Sequence, residues 1–244
     1  MVETKSEAPA GALQSVSGGT GEMFDAIAPR YDLLNRILSL GQDQYWRRLA
    51  MRALELGTGD RVMDLATGTG DLAIMIAQKC DGVSVTGVDP SANMIEVGQG
   101  KVARADLGER VTLQIGDGLA LPFDEDAFDG AVVSFGIRNF PDRLQGLREM
   151  ARVTKPGRKV VVLELSEPRH GLMAVAARTY IHHIVPTIGA ALSGKKEYRY
   201  LQKSIAAFPT ADEFVGLMRE AGLKDASYRP LSFGAVNLFV GMVA

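Results

Sequence analysis

Residues Arg61–Ala73, RVMDLATGTGDLA, carry an acid, Asp64, within a short apolar run and follow it with a glycine-rich turn, Gly68-Thr69-Gly70. A second apolar run, VTGVDPS, ends in another acid, Asp89, about twenty residues beyond the turn. Carboxylates at the ends of two successive strands can accept hydrogen bonds from adjacent ribose hydroxyls or face a positive charge. The glycines let the backbone approach a ligand closely. After a third run, IGDG (115–118) places Asp117 where it could accept from an adenine amino group, with Gly118 leaving room for the ring. A fourth run ends at Ser134, the first residue of SFGIRN (134–139), and its end should face the reacting atoms.

Two ligands fit such a loop. Gly68-Thr69-Gly70-Asp71-Leu72-Ala73 satisfies the GxGxxA dinucleotide pattern, which would make the chain an NAD(P)-dependent oxidoreductase. A dinucleotide, however, places a pyrophosphate on the loop and the helix N-terminus, where Asp64 and Asp71 would repel it. S-adenosylmethionine has no phosphate and carries a sulfonium and an ammonium, which acids beside the loop favour. Charge therefore points to S-adenosylmethionine.

These residues need a frame of alternating strands and helices. Strand-like runs fall at Arg61–Ala66, Val83–Val88, Val111–Ile115, Ala127–Ser134 and Lys159–Leu165, with helical periodicity at Gly70–Lys79, Ala92–Arg104 and Asp142–Val153. The pattern predicts an α/β fold: a doubly wound, seven-stranded, mostly parallel sheet with helices on both faces. A helix at Thr210–Ala221 precedes two further strands, Lys224–Leu231 and Ala235–Val243. Their link, Ser232 to Gly234, is short enough for a hairpin, so the last strand is expected to be antiparallel. Ahead of the first strand, residues 23–56 read as N-terminal helices, with Pro29 separating two short segments and Gly41 ending the second. Residues 1–22 read as a disordered tail and 23–244 as a single domain, interrupted by a helical, lid-like insertion at about 168–208.

Composition bounds the partners. The 244 residues are 46% hydrophobic with a net charge of −2, which lacks the basic footprint of a nucleic-acid binder. The lone Cys80 cannot form an internal disulfide. Residues 1–22 hold no apolar run resembling a secretory signal, and the apolar stretch 172–192 is broken by Arg178, His182, His183 and Pro186. A cytoplasmic protein is expected. No His/Cys/acid spacing suggests a metal, and His182 and His183 read as helix-surface or core residues.

Several segments together resemble the C-methyltransferases that act on demethylmenaquinone and the demethylated ubiquinone precursor, a branch of the class I S-adenosylmethionine-dependent methyltransferases. YDLLNRILSLGQDQYW (31–46) matches the N-terminal signature at Tyr31, Asp32, Asn35, Ser39 and Trp46, with Leu34 in place of Met and Asp43 in place of His. DLATGTGDLA, ALPFDEDAFD, SFGIRN, RVTKPGR and EYRYL (197–201) resemble further family segments, with Thr67, Thr154 and Arg158 departing from the usual residues. The resemblance covers roughly 23–244 and implies S-adenosylmethionine contacts at Thr69, Asp89, Asp117, Gly118 and Ser134, to which the loop reading adds Asp64, Gly68 and Gly70.

The resemblance also implies methylation of a ring carbon on a polyprenylated quinol: demethylmenaquinol first, the 2-methoxy-6-polyprenyl-1,4-benzoquinol precursor of ubiquinone second. Arg138 and Asn139 are then the candidates for binding the ring oxygens, and Tyr31 for covering the cofactor or touching the ring. A guanidinium stays charged at neutral pH, so Arg138 suits an electrostatic stabiliser better than a base. The insertion's apolar pattern, with Arg178, Lys195, Lys196, Arg199 and Lys203, suits a prenyl tail and peripheral contact with an anionic membrane. A lid packed on the core, or a homodimer interface, fits the same residues. A binding protein that kept only the cofactor pocket is a third functional class.

Overall fold

Strands buried on both faces need apolar residues at most positions, and the central runs supply them, save for Asp64 and Glu164. The computed structural model describes residues 21–166 and 195–244. In chain order the elements are α1 (Gly21–Leu38), α2 (Asp43–Ala53), β1 (Arg61–Leu65), α3 (Asp71–Lys79), β2 (Ser84–Asp89), α4 (Ala92–Arg104), β3 (Val111–Ile115) and β4 (Gly130–Ser134). A 3-10 turn (Ile137–Asn139) follows, then α5 (Arg143–Val153), β5 (Lys159–Leu165), α6 (Lys195–Ala206), α7 (Ala211–Glu220), β6 (Leu223–Leu231) and β7 (Val236–Val243).

The strands form one seven-stranded sheet in the order β3-β2-β1-β4-β5-β7-β6. The first five are parallel, and β7 runs antiparallel to both β5 and β6, as the sequence predicted. Strand periodicity sends alternate side chains to opposite faces. Val62, Val132, Val161 and Leu163 pack in one core with Leu72, Ile76 and Trp46. Their neighbours Met63, Val133, Val160 and Val162 pack in the other with Leu147, Met150, Phe214 and Met218. Chain order reverses between β1 and β4, so their carboxyl ends open a crevice at the topological switch point, where α/β sheets bind ligands.

Three expectations are corrected. Pro29 does not divide the N-terminal helix, which runs unbroken from Gly21 to Leu38. A proline removes one intrahelical bond, but contacts from Asp25 and Asp32, on either side of it, pin α1 to the body of the fold. Because α1 starts at Gly21, Gly21 and Glu22 are helical rather than part of a tail. The fourth strand is shorter than Ala127–Ser134, because the Phe128 N–H donates to the Val153 carbonyl outside the sheet and only Gly130–Ser134 joins it. The rest of the tail (1–20) and most of the insertion, with Arg178, His182 and His183, lie outside the described residues.

Candidate active site

Asp64, next to last in β1, and Asp89, last in β2, are both buried at the crevice. The Thr67 hydroxyl donates to Asp64 Oδ2 at 2.6 Å. Asp89 accepts from the Gly68 N–H and the Ser91 N–H, each at 2.9 Å, and so fixes the glycine loop to the start of α4. Burial pushes both carboxyls up to about 6, against the lowering effect of those hydrogen bonds and, for Asp64, of the nearby Arg47 charge. Among the described residues neither acid has a cation within ion-pair distance.

The glycines divide into two kinds. Gly68 has φ +57°, and a Cβ there would meet nothing nearer than Tyr31 Cε1 at 3.9 Å, so the loop is open on this side and Tyr31 of α1 borders it. A Cβ on Gly118 would lie 2.7 Å from Phe140, and one on Gly136 would lie 2.5 Å from the Ala66 Cβ. Packing within the protein already requires those two glycines. Ala66 and Phe135, each just past a strand, have φ of +51° and +61°, so both strand ends at the crevice carry backbone that side chains disfavour.

Thr69 and Asp71 hold a second network. The Thr69 hydroxyl donates to Asp32 Oδ1 at 2.5 Å, leaving it no hydrogen for a ligand. Lys101 of α4 bonds Asp32 Oδ2 at 2.7 Å, the Thr69 hydroxyl at 3.2 Å and, closer still, Asp71. Near the start of α1, Asp25 accepts from the Ser91 hydroxyl at 2.5 Å and from the Asn93 N–H at 3.2 Å. Helix α1 is thus clasped over the loop at two points. Because Lys101 compensates Asp71, the charge argument against a pyrophosphate rests on Asp64 alone; Asp89, at the end of β2, suits a ribose in either ligand. Asp117 is exposed, and its Oδ1 accepts from the Leu119 N–H at 2.9 Å in an Asx turn.

At the other end of the crevice, Ser134 Oγ accepts from Arg47 of α2 at 3.1 Å. Arg138, in the 3-10 turn, is only 7% exposed; its guanidinium pairs with the fully buried Glu164 of β5 at 3.0 Å and also donates to the Phe135 carbonyl. Glu164 accepts in addition from the backbone N–H groups of Arg138 and Leu165, at 3.1 and 2.8 Å. The Arg138 Nε is buried with no acceptor among the described residues. Asn139 Oδ1 accepts from the Tyr200 hydroxyl of α6 at 3.1 Å, so Asn139 has its amide N–H groups to offer a ligand. Burial raises the Tyr200 phenol above its ordinary value, against the Arg138 and Arg143 charges, so it suits a donor rather than a base.

The sequence reading missed Arg47, Lys101, Glu164 and, as a site residue, Tyr200. Glu164 left a signal as the one acid inside the apolar run KVVVLEL, and Tyr200 lies in the family-like segment EYRYL; Arg47 and Lys101 left none. The family departure at Asp43 has a local explanation. Asp43 is buried in the first turn of α2, accepts from the Ser39 hydroxyl at 2.9 Å and lies 3.6 Å from Arg36.

The parallel sheet with its antiparallel β7, and the acid-lined glycine loop at the switch point, are those of a class I S-adenosylmethionine-dependent methyltransferase. The same fold occurs in phosphoethanolamine N-methyltransferase 2 of Haemonchus contortus, solved in complex with S-adenosyl-L-methionine (TM-score 0.62, 15% identity, 81% of this chain and 52% of that one). The sequence model of the ubiE/COQ5 methyltransferase family matches residues 13–243, and the chain belongs to that family. It is 43% identical over 221 residues to the ubiquinone/menaquinone biosynthesis C-methyltransferase UbiE of Geotalea daltonii (90% of this chain, 94% of that one). It is 42% identical over 234 residues to the demethylmenaquinone methyltransferase of Deinococcus radiodurans (96% of each chain). Asp64, buried and without an ion-pair partner among the described residues, fits S-adenosylmethionine, and with these relatives the dinucleotide alternative finds no support.

Proposed function

We propose that this chain is a C-methyltransferase that methylates a ring carbon of a polyprenylated quinol, with demethylmenaquinol the first choice of substrate and 2-methoxy-6-polyprenyl-1,4-benzoquinol the second. The observation that carries the cofactor half is the pair of buried acids, Asp64 and Asp89, neither with an ion-pair partner among the described residues. The substrate half rests on the activities named for the relatives.

S-adenosylmethionine, when bound, supplies a methyl group on an electron-poor sulfonium. Asp89 is the residue for the ribose hydroxyls and Asp64 for the positive charge. Gly68 gives the backbone its close approach, while Gly70, whose Cβ would lie 2.9 Å from Leu113, lets the loop pack on the sheet; Asp117 and Gly118 border the adenine, and Thr69 contributes through its backbone. Ser134 stands between this half and the acceptor half, with Tyr31 as cover. Arg138 and Asn139 offer N–H donors to a ring oxygen. Such donors favour the phenolate, whose ortho carbon is the better nucleophile, and the hydroxyl proton leaves to water. Bound S-adenosylmethionine would supply its methyl group to that carbon and leave as S-adenosylhomocysteine, and the ring proton would pass to water as aromaticity is restored.

Residues 168–208 are our choice for the prenyl tail, because Tyr200, from the described end of that segment, reaches Asn139 at the acceptor end. No helix among the described residues is long and apolar enough to cross a membrane. We place the protein in the cytoplasm with peripheral membrane contact through that segment, as one methyltransferase domain over 23–244.

The test is incubation with methyl-labelled S-adenosylmethionine and reduced, short-chain demethylmenaquinone and benzoquinone analogues. Carbon-bound label in one product names the substrate. Absence of label in both, with tight NADH binding instead, would sink the proposal.

A further inference from the structure

Arg47 is 6% exposed, yet among the described residues no carboxylate lies within ion-pair distance of it. Its described partners are weak ones for a buried cation. One terminal nitrogen donates to Ser134 Oγ at 3.1 Å, the guanidinium lies 5.4 Å from the centre of the Phe135 ring, and Nε is buried without an acceptor. Buried charges are ordinarily paired, because desolvation is costly and a hydroxyl returns little of it. Arg138, buried to the same degree a few residues past Ser134, has Glu164 as its counter-ion. Arg47 has none.

What faces Arg47 is as telling. Ser134 ends β4, and Asp64 lies in the adjacent, hydrogen-bonded strand β1, paired in register with Val132. Asp64 feels the Arg47 charge without forming an ion pair with it. Beside the Ser134 strand end the crevice therefore holds a buried cation from α2 and, on the neighbouring strand β1, a buried anion, neither with an ion-pair partner among the described residues. A ligand that is itself dipolar, with an ammonium and a carboxylate on one carbon, satisfies both at once.

We propose that Arg47 of α2 binds the carboxylate of the amino-acid end of S-adenosylmethionine, opposite Asp64 on the ammonium side. This rests on the cofactor reading given under Proposed function. It makes α2, which the sequence offered only as framework, part of the cofactor site. It also accounts for Trp46, whose indole N–H donates to Ser232 Oγ at 3.0 Å and whose ring packs edge-on to Phe135, so that α2 is held where Arg47 can reach Ser134.

The experiment is calorimetric binding, with no turnover, of S-adenosylmethionine and of its decarboxylated analogue, which lacks only the carboxylate, to the wild-type chain, Arg47→Met and Arg47→Lys. The wild type should bind the decarboxylated analogue about 10–100-fold more weakly, the scale of a lost charge-assisted contact. Arg47→Met should lose a similar factor for S-adenosylmethionine and discriminate between the two ligands by less than about threefold, since the missing partners are coupled. Arg47→Lys should recover most of the discrimination. Equal wild-type affinity for both ligands overturns the assignment, and that comparison stands even if Arg47→Met fails to fold. It is also overturned if Arg47→Met weakens both ligands by one factor, which is the mark of a residue that only shapes the crevice. An unchanged S-adenosylmethionine affinity with a raised KM for the quinol overturns it too. A wild type that binds neither ligand refutes the cofactor reading itself.

Discussion

The two ends of the crevice handle buried charge in different ways. At β1 and β2, Asp64 and Asp89 are buried with no cation within ion-pair distance among the described residues, and burial pushes each up to about 6. At β4 and β5, Arg138 and Glu164 are just as deeply buried but paired at 3.0 Å. The first end is incomplete without a ligand that brings positive charge and hydroxyl donors. At the second, Arg138 and Glu164 balance each other and spare N–H groups remain, which suits a neutral ring that gains negative charge only as it reacts, while Arg47 at Ser134 is left for the cofactor's carboxylate. The protein thus separates cofactor capture from acceptor activation by where it places counter-ions.

The comparison breaks most readily at Glu164. Glu164→Ala leaves the Arg138 charge buried and alone and should cost about 3–5 kcal/mol of stability, read as a large fall in the denaturant midpoint. If that midpoint holds, the pair is not what balances this end. Next is Asp89→Ala, which also frees the Gly68 and Ser91 N–H groups. Calorimetry should show cofactor affinity falling by about a hundredfold or more, the scale of a lost buried charge-assisted acceptor. Arg138→Ala should lower kcat while leaving the calorimetric Kd for S-adenosylmethionine nearly intact. Full turnover in that variant would remove Arg138 from the reaction.

A pH series sharpens the same contrast. Asp64 and Asp89 ionise near 6 in the folded chain, against an ordinary value of 3.8. Binding needs their charged forms, so affinity should level off above about pH 7 and fall about tenfold per acid by about pH 5. Stability of the ligand-free chain runs the other way. The folded state holds more protons between those values, so the contribution of these two acids is full below about pH 4 and is lost as pH rises through 6. The smallest effect belongs to the α1 clasp. Lys101→Met breaks ion pairs to Asp32 and Asp71 that are partly exposed and should weaken the cofactor only a fewfold, about 1 kcal/mol at most.

Much of this was legible in the sequence. Alternating apolar runs gave the sheet, and the positions of Asp64, Asp89 and Ser134 at strand ends followed from it. Legibility failed where chemistry depends on partners distant in the chain. Nothing local reveals that Arg47 reaches Ser134, that Lys101 gathers Asp32 and Asp71, or that Tyr200 meets Asn139. Gly118 looked like room for a ligand, but Phe140 already demands that space. Pro29 looked like a break because periodicity cannot see the contacts that hold α1 on both sides of it.

The central claim, that the β1–β2 acids are held without counter-ions for a ligand to complete, is tested most directly by Asp64→Asn. Thermal unfolding of the ligand-free variant and calorimetric binding of S-adenosylmethionine would be measured side by side at about pH 7.5. Removing a buried, unpaired charge should leave stability unchanged or raise it by up to about 2 kcal/mol, while affinity falls by at least about tenfold. A variant that loses stability yet binds the cofactor as tightly as the wild type would contradict the account.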